Sequence, residues 1–296
     1  MKKPHFYKVR SRIGLLNPPI YTKIPNIGVE HGSDMILDHQ FLNHFPDVKI
    51  DSIDFPDPES VAKETYNDMI VQTTLELKQL IQKTLAPDEI QVVLGGDHCI
   101  TFPSVLAQID QIGSTKKLGY IQFDSHGDIN QYGSSISKNW HGMYVRPLVD
   151  TYDIAEIDAL SKQKIPVKNI LFLGNLFPFL DAEELDFFQK NNIKTFTPKT
   201  IREAKQKTIE TFKNFINNFD HLHITFDIDA LDKTIAPATG LPAAQGLLME
   251  DIEAMLKLAT TDRSFSFDLV EVNPEKPGAE KTIQTAQEIL SMVLQN

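Results

Sequence analysis

Three short apolar runs in this chain of 296 residues each end in acids, two of them with an imidazole as well, and no other feature narrows the possible folds as much. Val92-Val93-Leu94 passes into Gly95-Gly96-Asp97-His98, and Gly119-Tyr120-Ile121-Gln122-Phe123 into Asp124-Ser125-His126-Gly127-Asp128. Ile224-Thr225-Phe226 passes into Asp227-Ile228-Asp229. Short, mostly apolar runs are expected of strands covered on both faces. The strand candidates are Ile90–Leu94, Leu118–Phe123, Asn169–Leu173, His221–Phe226 and Ser266–Val272. Between and beyond them lie helix-like stretches at Glu59–Thr84, Phe102–Ile112, Ala182–Lys190, Ile201–Asn217, Met249–Thr260 and Ala279–Leu294. Such alternation predicts an α/β fold, a mainly parallel β-sheet with helices on both faces. With no internal repeat or linker-like stretch, residues 1–296 read as a single domain. Ligands of open α/β sheets bind outside the carboxyl ends of the strands, and there these acids collect.

The balance of 29 Lys and Arg against 40 Asp and Glu, a net charge of −11, argues against nucleic-acid or anionic-membrane partners, which require a basic face. The lone cysteine, Cys99, rules out an intrachain disulfide and favours a reducing compartment. No signal-like apolar run follows Met1-Lys2-Lys3, and none approaches the ~20 residues of a membrane helix. A cytoplasmic protein is expected. A phosphate loop of the Gly-x-x-x-x-Gly-Lys type is absent, which sets a nucleotide-binding reading low.

Alternate residues of an extended segment share a side. Asp124, His126 and Asp128 therefore project together, as do Asp227 and Asp229. Any one of these clusters alone is compatible with a capped turn. Together they place four carboxylates where mutual repulsion would raise their pKa values. Two divalent cations would neutralise them and leave two imidazoles as neutral ligands. Such a bridged pair generates hydroxide at neutral pH. Oxygen-rich ligation without thiolate favours a hard ion such as Mn²⁺ over structural zinc.

At these motifs the chain resembles the ureohydrolase family of arginase, agmatinase, formimidoylglutamase and relatives. Gly95-Gly96-Asp97-His98 is similar to the family's first signature and Phe123 to Asn130 to its second. Thr225 to Asp232, followed by Ala236-Pro237-Ala238-Thr239-Gly240, is similar to the third, and Glu271-Val272-Asn273-Pro274 to the closing glutamate motif. The resemblance implies an arginase-like three-layer fold holding two Mn²⁺. His98, Asp124, Asp128 and Asp227 would hold one ion, and Asp124, His126, Asp227 and Asp229 the other, with Asp124 and Asp227 bridging. Asp128 would also orient the hydroxide, Glu271 would meet the guanidinium, and His141 matches the proton-shuttle histidine. His5, His31, His39, His44, His221 and His223 read as structural. Family members commonly form homo-oligomers.

For the substrate, the loop from Asp128 to His141 is the more arginase-like part, with Asn130, Ser135 and Ser137 matching contacts to an α-carboxylate. Two departures stand against it. The Arg-Asp-x-Asp-like segment of arginases is replaced by Asn175-Leu176-Phe177-Pro178-Phe179-Leu180-Asp181, in which only Asp181, in a shifted register, offers the acid for an α-amino group. The family's Thr-Gly-Thr-Pro becomes Thr239-Gly240-Leu241-Pro242, with an apolar side chain in place of a hydroxyl near the guanidinium site. The expectation is manganese-dependent hydrolysis of a guanidino or formimino C–N bond, foremost arginine to ornithine and urea. Agmatinase, formimidoylglutamase and another guanidino-acid hydrolase are the alternatives. A metal-binding but catalytically silent assembly subunit is the alternative of another class.

Overall fold

The computed structural model describes residues 2–17 and 25–295. Eight strands, β1 (Lys3–Arg10), β2 (Lys49–Asp54), β3 (Glu89–Gly95), β4 (Leu118–Phe123), β5 (Ile170–Leu173), β6 (Lys194–Phe196), β7 (His221–Asp227) and β8 (Ser264–Val270), form one sheet in the order β2-β1-β3-β8-β7-β4-β5-β6. Every pairing is parallel. Two apolar cores result because successive strand residues face opposite ways. On β1, Phe6 enters one core and Tyr7 the other. Helices 205–216, 249–260 and 279–294 close the first face through Phe212, Leu256 and Ile289. Helices 66–84, 101–112 and 182–190 close the second through Leu77, Val105 and Phe188. Each such side chain, fully buried, contributes roughly 1.5–3 kcal/mol. The expected three-layer α/β architecture is observed.

Differences in detail have local causes. β2 carries Lys-Ile-Asp-Ser-Ile-Asp on a largely exposed edge, and β6 is a three-residue edge strand, so neither has the apolar run that marks a buried strand. β1 is buried but interleaves His5, Lys8 and Arg10 with its apolar residues. The stretch expected as one helix at 201–217 is two, 198–203 and 205–216, broken at Ala204 with φ −133° and ψ 41°. The expected helix at 59–84 starts only at Tyr66, after two 3-10 turns. β8 ends at Val270, two residues before the expected end, because Glu271 takes φ 64° and turns the chain out of the sheet.

The connections place the site. From β4 the chain proceeds outward to β5, whereas from β7 it proceeds the other way to β8. β4 and β7 are neighbours, in register from Leu118–His221 to Phe123–Phe226. The crevice at their carboxyl ends is therefore a topological switch point, where open α/β sheets take their ligands.

Candidate metal centre and substrate pocket

Each acid of the cluster is carried to the crevice by its strand. β4 delivers Asp124 directly past Phe123, and β7 delivers Asp227 as its last residue, with Asp229 in the 3-10 turn that follows. Asp227 accepts the N–H of Asp229 at 2.8 Å, and Asp124 accepts that of His126 at 2.6 Å, so each first acid fixes the next ligand candidate on its own loop. His98 arrives from β3 through Gly95-Gly96. A Cβ on Gly96 would lie 1.7 Å from the Ser11 carbonyl oxygen, so only glycine allows this close approach of two backbones. Asp97 acts as a cap, accepting from Cys99 N at 3.0 Å and Gly14 N at 3.0 Å.

The side chains converge on two overlapping groups. His98 Nδ1 lies 3.1 Å from Asp124 Oδ2, 3.0 Å from Asp128 Oδ2 and 3.3 Å from Asp227 Oδ2. His126 Nδ1 lies 3.1 Å from Asp229 Oδ2 and 3.4 Å from Asp124 Oδ1. His98, Asp124 and Asp128 form one set with metal-ligand spacing, and Asp124, His126 and Asp229 the other, so Asp124 is common to both. Asp227 stands beside the first set through its contact with His98. Yet His98 Nδ1, fully buried among three carboxylates, makes no hydrogen bond. A ring nitrogen so placed is aimed at a shared centre, which suits a ligand atom better than a donor. Its Nε2 is held by Tyr144 Oη at 2.8 Å and Thr225 Oγ1 at 2.9 Å, the outer partners that orient a metal-binding imidazole. Gln122 Nε2 likewise donates to Asp124 Oδ2 at 2.7 Å.

The electrostatics point the same way. Burial, aided by the neighbouring Asp124 carboxylate, pushes Asp128 up to about 7. Burial and then the Asp229 carboxylate raise Asp227 well above the carboxylate range, and burial raises Asp229 too. Burial acts to raise Asp124 as well, but the adjacent His126 and His98 imidazoles hold it below its ordinary value. Burial disfavours charge on His98, yet Asp124, Asp128 and Asp227 together raise it well above an ordinary imidazole. Four carboxylates are thus crowded where two imidazoles cannot neutralise them all, a cost that a bound cation would relieve. The donor set, hard oxygens with two imidazoles, fits a divalent metal pair.

Opposite the acids stand Glu271 and His141. Glu271 Oε1 accepts from His98 N at 3.0 Å, and His141 Nδ1 lies 3.5 Å away from the same oxygen. Burial acts to lower His141, but the Glu271 carboxylate outweighs it and raises the imidazole above its ordinary value. Glu271 and Asp128 both adopt left-handed backbone, at φ 64° and 50°, a strained conformation for non-glycine residues that clusters at functional sites.

Of the residues expected at the substrate's tail, Asn130, Ser137 and Asp181 line the cleft over these acids. Ser135 is not among the lining residues; its hydroxyl accepts from Lys138 N. Asp181 reaches the cleft despite the altered preceding segment, because it caps helix 182–190. There it pairs with Glu184 in a capping box, with Asp181 N donating to Glu184 Oε2 at 3.0 Å. Asn130 Nδ2 donates to Asp181 Oδ2 at 3.1 Å and leaves its buried Oδ1 unpartnered. Glu184, Asn26, Phe179 and Leu241 also line the cleft. Sequence reasoning did not single out Glu184 or Asn26. The Asp-x-x-Glu spacing of a capping box was a signal for Glu184, although it reads first as helix punctuation. Burial raises Glu184 to about 8. No Lys or Arg is among the described residues lining this cleft.

Comparisons with known proteins place the chain in a family. The description of the Arginase family matches residues 12–295. The chain belongs to the arginase family. An arginase of Staphylococcus aureus is 34% identical over 240 residues, 79% of this chain and 77% of that protein. The crystal structure of Entamoeba histolytica arginase in complex with L-ornithine superposes with a TM-score of 0.85 at 23% identity, covering 99% of this chain and 98% of that one. Arginase from Bacillus subtilis superposes with a TM-score of 0.83 at 24% identity, covering 100% and 99%. At those identities the two structures speak for the fold. The family itself rests on the match along the sequence, and with it stands the expectation of a ureohydrolase-type enzyme. Among the described residues no helix is long and apolar enough to cross a membrane.

Proposed function

We propose that this arginase-family chain hydrolyses L-arginine to L-ornithine and urea with two bound manganese ions. His98, Asp124, Asp128 and Asp227 would hold one ion, and Asp124, His126, Asp227 and Asp229 the other, with Asp124 and Asp227 shared. When bound, such a pair supplies the positive field that makes a water acidic enough to attack at neutral pH. Glu271 accepts N–H bonds from the planar guanidinium and fixes it over the acids. Asp128 accepts a hydrogen bond from the attacking water. His141, lining the cleft and raised by Glu271, holds a proton for the departing amine as the C–N bond breaks.

The observation that carries the choice of substrate is the cleft's tail end. Asp181, Glu184 and the unpartnered Asn130 Oδ1 supply acceptors for an ammonium, while the Ser137 hydroxyl supplies a neutral donor for one carboxylate. An α-amino acid uses both. Agmatine leaves that donor idle, and formiminoglutamate brings a second carboxylate with no cationic side chain among the described lining residues to meet it. Urea release from arginine, agmatine and formiminoglutamate after manganese reloading tests this reading. Arginine turns over fastest; inactivity on all three with metal bound would sink the proposal and favour a silent metal-binding subunit.

A further inference from the structure

Glu271 is 4% exposed, and its two carboxylate oxygens are held differently. Oε1 accepts from the backbone of His98, whereas Oε2 accepts from Asn26 Nδ2 at 2.9 Å. The orientation of that amide is settled by a chain of partners. Glu275 N donates to Asn273 Oδ1 at 2.9 Å, which leaves the Asn273 amide N–H₂ facing Asn26 Oδ1 at 2.7 Å and Ile27 O at 2.8 Å. Asn26 must then present its own N–H₂ to Glu271. Gly240 backs onto the same pair, since a Cβ there would lie 3.1 Å from Asn26 Nδ2 and 3.5 Å from Glu271 Oε2. In the third motif the hydroxyl expected near this end of the pocket is replaced by Leu241. The donor here comes instead from a segment more than two hundred residues away in sequence.

We propose that Asn26 is a positioning residue for substrate recognition: it fixes the plane of the Glu271 carboxylate so that both oxygens meet a planar guanidinium. This assignment rests on the reading of Glu271 as the guanidinium acceptor. A paired carboxylate–guanidinium contact needs both oxygens in the plane of the cation. Oε1 alone, held by His98 N, leaves the group free to rotate about that contact. The Asn26 amide removes this rotation, and Asn273 and Glu275 keep the amide from turning.

Two variants separate positioning from scaffolding. Asn26→Asp keeps an oxygen for Asn273 but removes the donor and sets a carboxylate against Glu271. Asn26→Ala removes both ties. In manganese-loaded protein, KM for arginine is expected to rise about 10- to 100-fold in both, the range for losing a hydrogen bond to a charged group. Calorimetric binding of arginine to the metal-free protein should weaken in parallel, with manganese content unchanged. A purely structural role would instead lower the melting temperature and the active fraction, leaving KM and arginine affinity as in the unaltered chain. Wild-type KM and affinity in Asn26→Asp overturn the assignment. An unaltered chain inert on every guanidino substrate overturns it together with the proposed function, so the two failures are distinguishable.

Discussion

Two clusters of histidine and carboxylate lie on one face of the same sheet, and they differ in how well they are satisfied. β7 reads His221-Leu222-His223-Ile224-Thr225-Phe226-Asp227, with Leu222, Ile224 and Phe226 in one core and the polar residues on the opposite side. At the lower end of that polar row, His223 Nε2 meets Asp268 Oδ2 at 3.0 Å and its Nδ1 meets Ser266 Oγ at 2.8 Å. Asp268 Oδ1 accepts from Ser104 Oγ at 2.7 Å, and His221 contacts Ser264 Oγ at 2.9 Å and Ser266 Oγ at 3.1 Å. One acid, two imidazoles and several hydroxyls use up one another's capacity. At the upper end acids outnumber imidazoles, and the His98 nitrogen at the centre has no hydrogen bond. A satisfied buried network is structure, whereas an overfilled one with an orphaned ligand atom is a site.

The sharpest attack on this comparison is to remove charge from the overfilled cluster. Asp124→Asn should lose both metals, measured by elemental mass spectrometry, and with them activity by several orders of magnitude, because Asp124 belongs to both ligand sets. Retention of both ions would show that the shared ligand is misassigned. His141→Ala should keep the metals and lower kcat by about 10²–10⁴, the range for a lost general acid; an unchanged kcat would remove His141 from the reaction. In the satisfied cluster, Asp268→Ala should leave metal content untouched and lower stability in urea by about 2–4 kcal/mol, because His223 and Ser104 lose a buried partner. Loss of metal from a folded Asp268 variant would merge the two clusters into one functional unit.

A separate effect concerns pH. Burial, then the nearby His223, lowers His221 from 6.5 to about 3. The unfolded chain therefore binds this proton more readily than the folded one between those values. Stability owed to neutral His221 is fully present above pH 6.5 and is lost as pH falls toward about 3, at up to about 1.4 kcal/mol per unit. His221→Gln should flatten this slope in urea melts followed from pH 7 to pH 4; an unaltered slope would show that other groups set the acid limb.

The distinction between the clusters was partly legible before folding. His221 and His223 read as structural, while Asp124 to Asp128 and Asp227 to Asp229 carry their acids at the spacing of a shared side. Strands buried on both faces were visible by their apolar runs. The edge strands β2 and β6 were not, since a strand open to water needs no such run, and β1 was hidden by its interleaved polar residues.

Local spacing by itself determined the α/β class, the strands that carry the acids and the grouping of acids within each loop, because these depend on periods of two and 3.6 residues. Only the tertiary structure decided which loops meet. The sheet order set β4 beside β7, a helix cap carried Asp181 into the cleft, and a long-range amide put Asn26 on Glu271. Contacts across such separations leave no periodic trace in the chain. They exist because packing both faces of one twisted sheet leaves few ways to bring its loops together at one end.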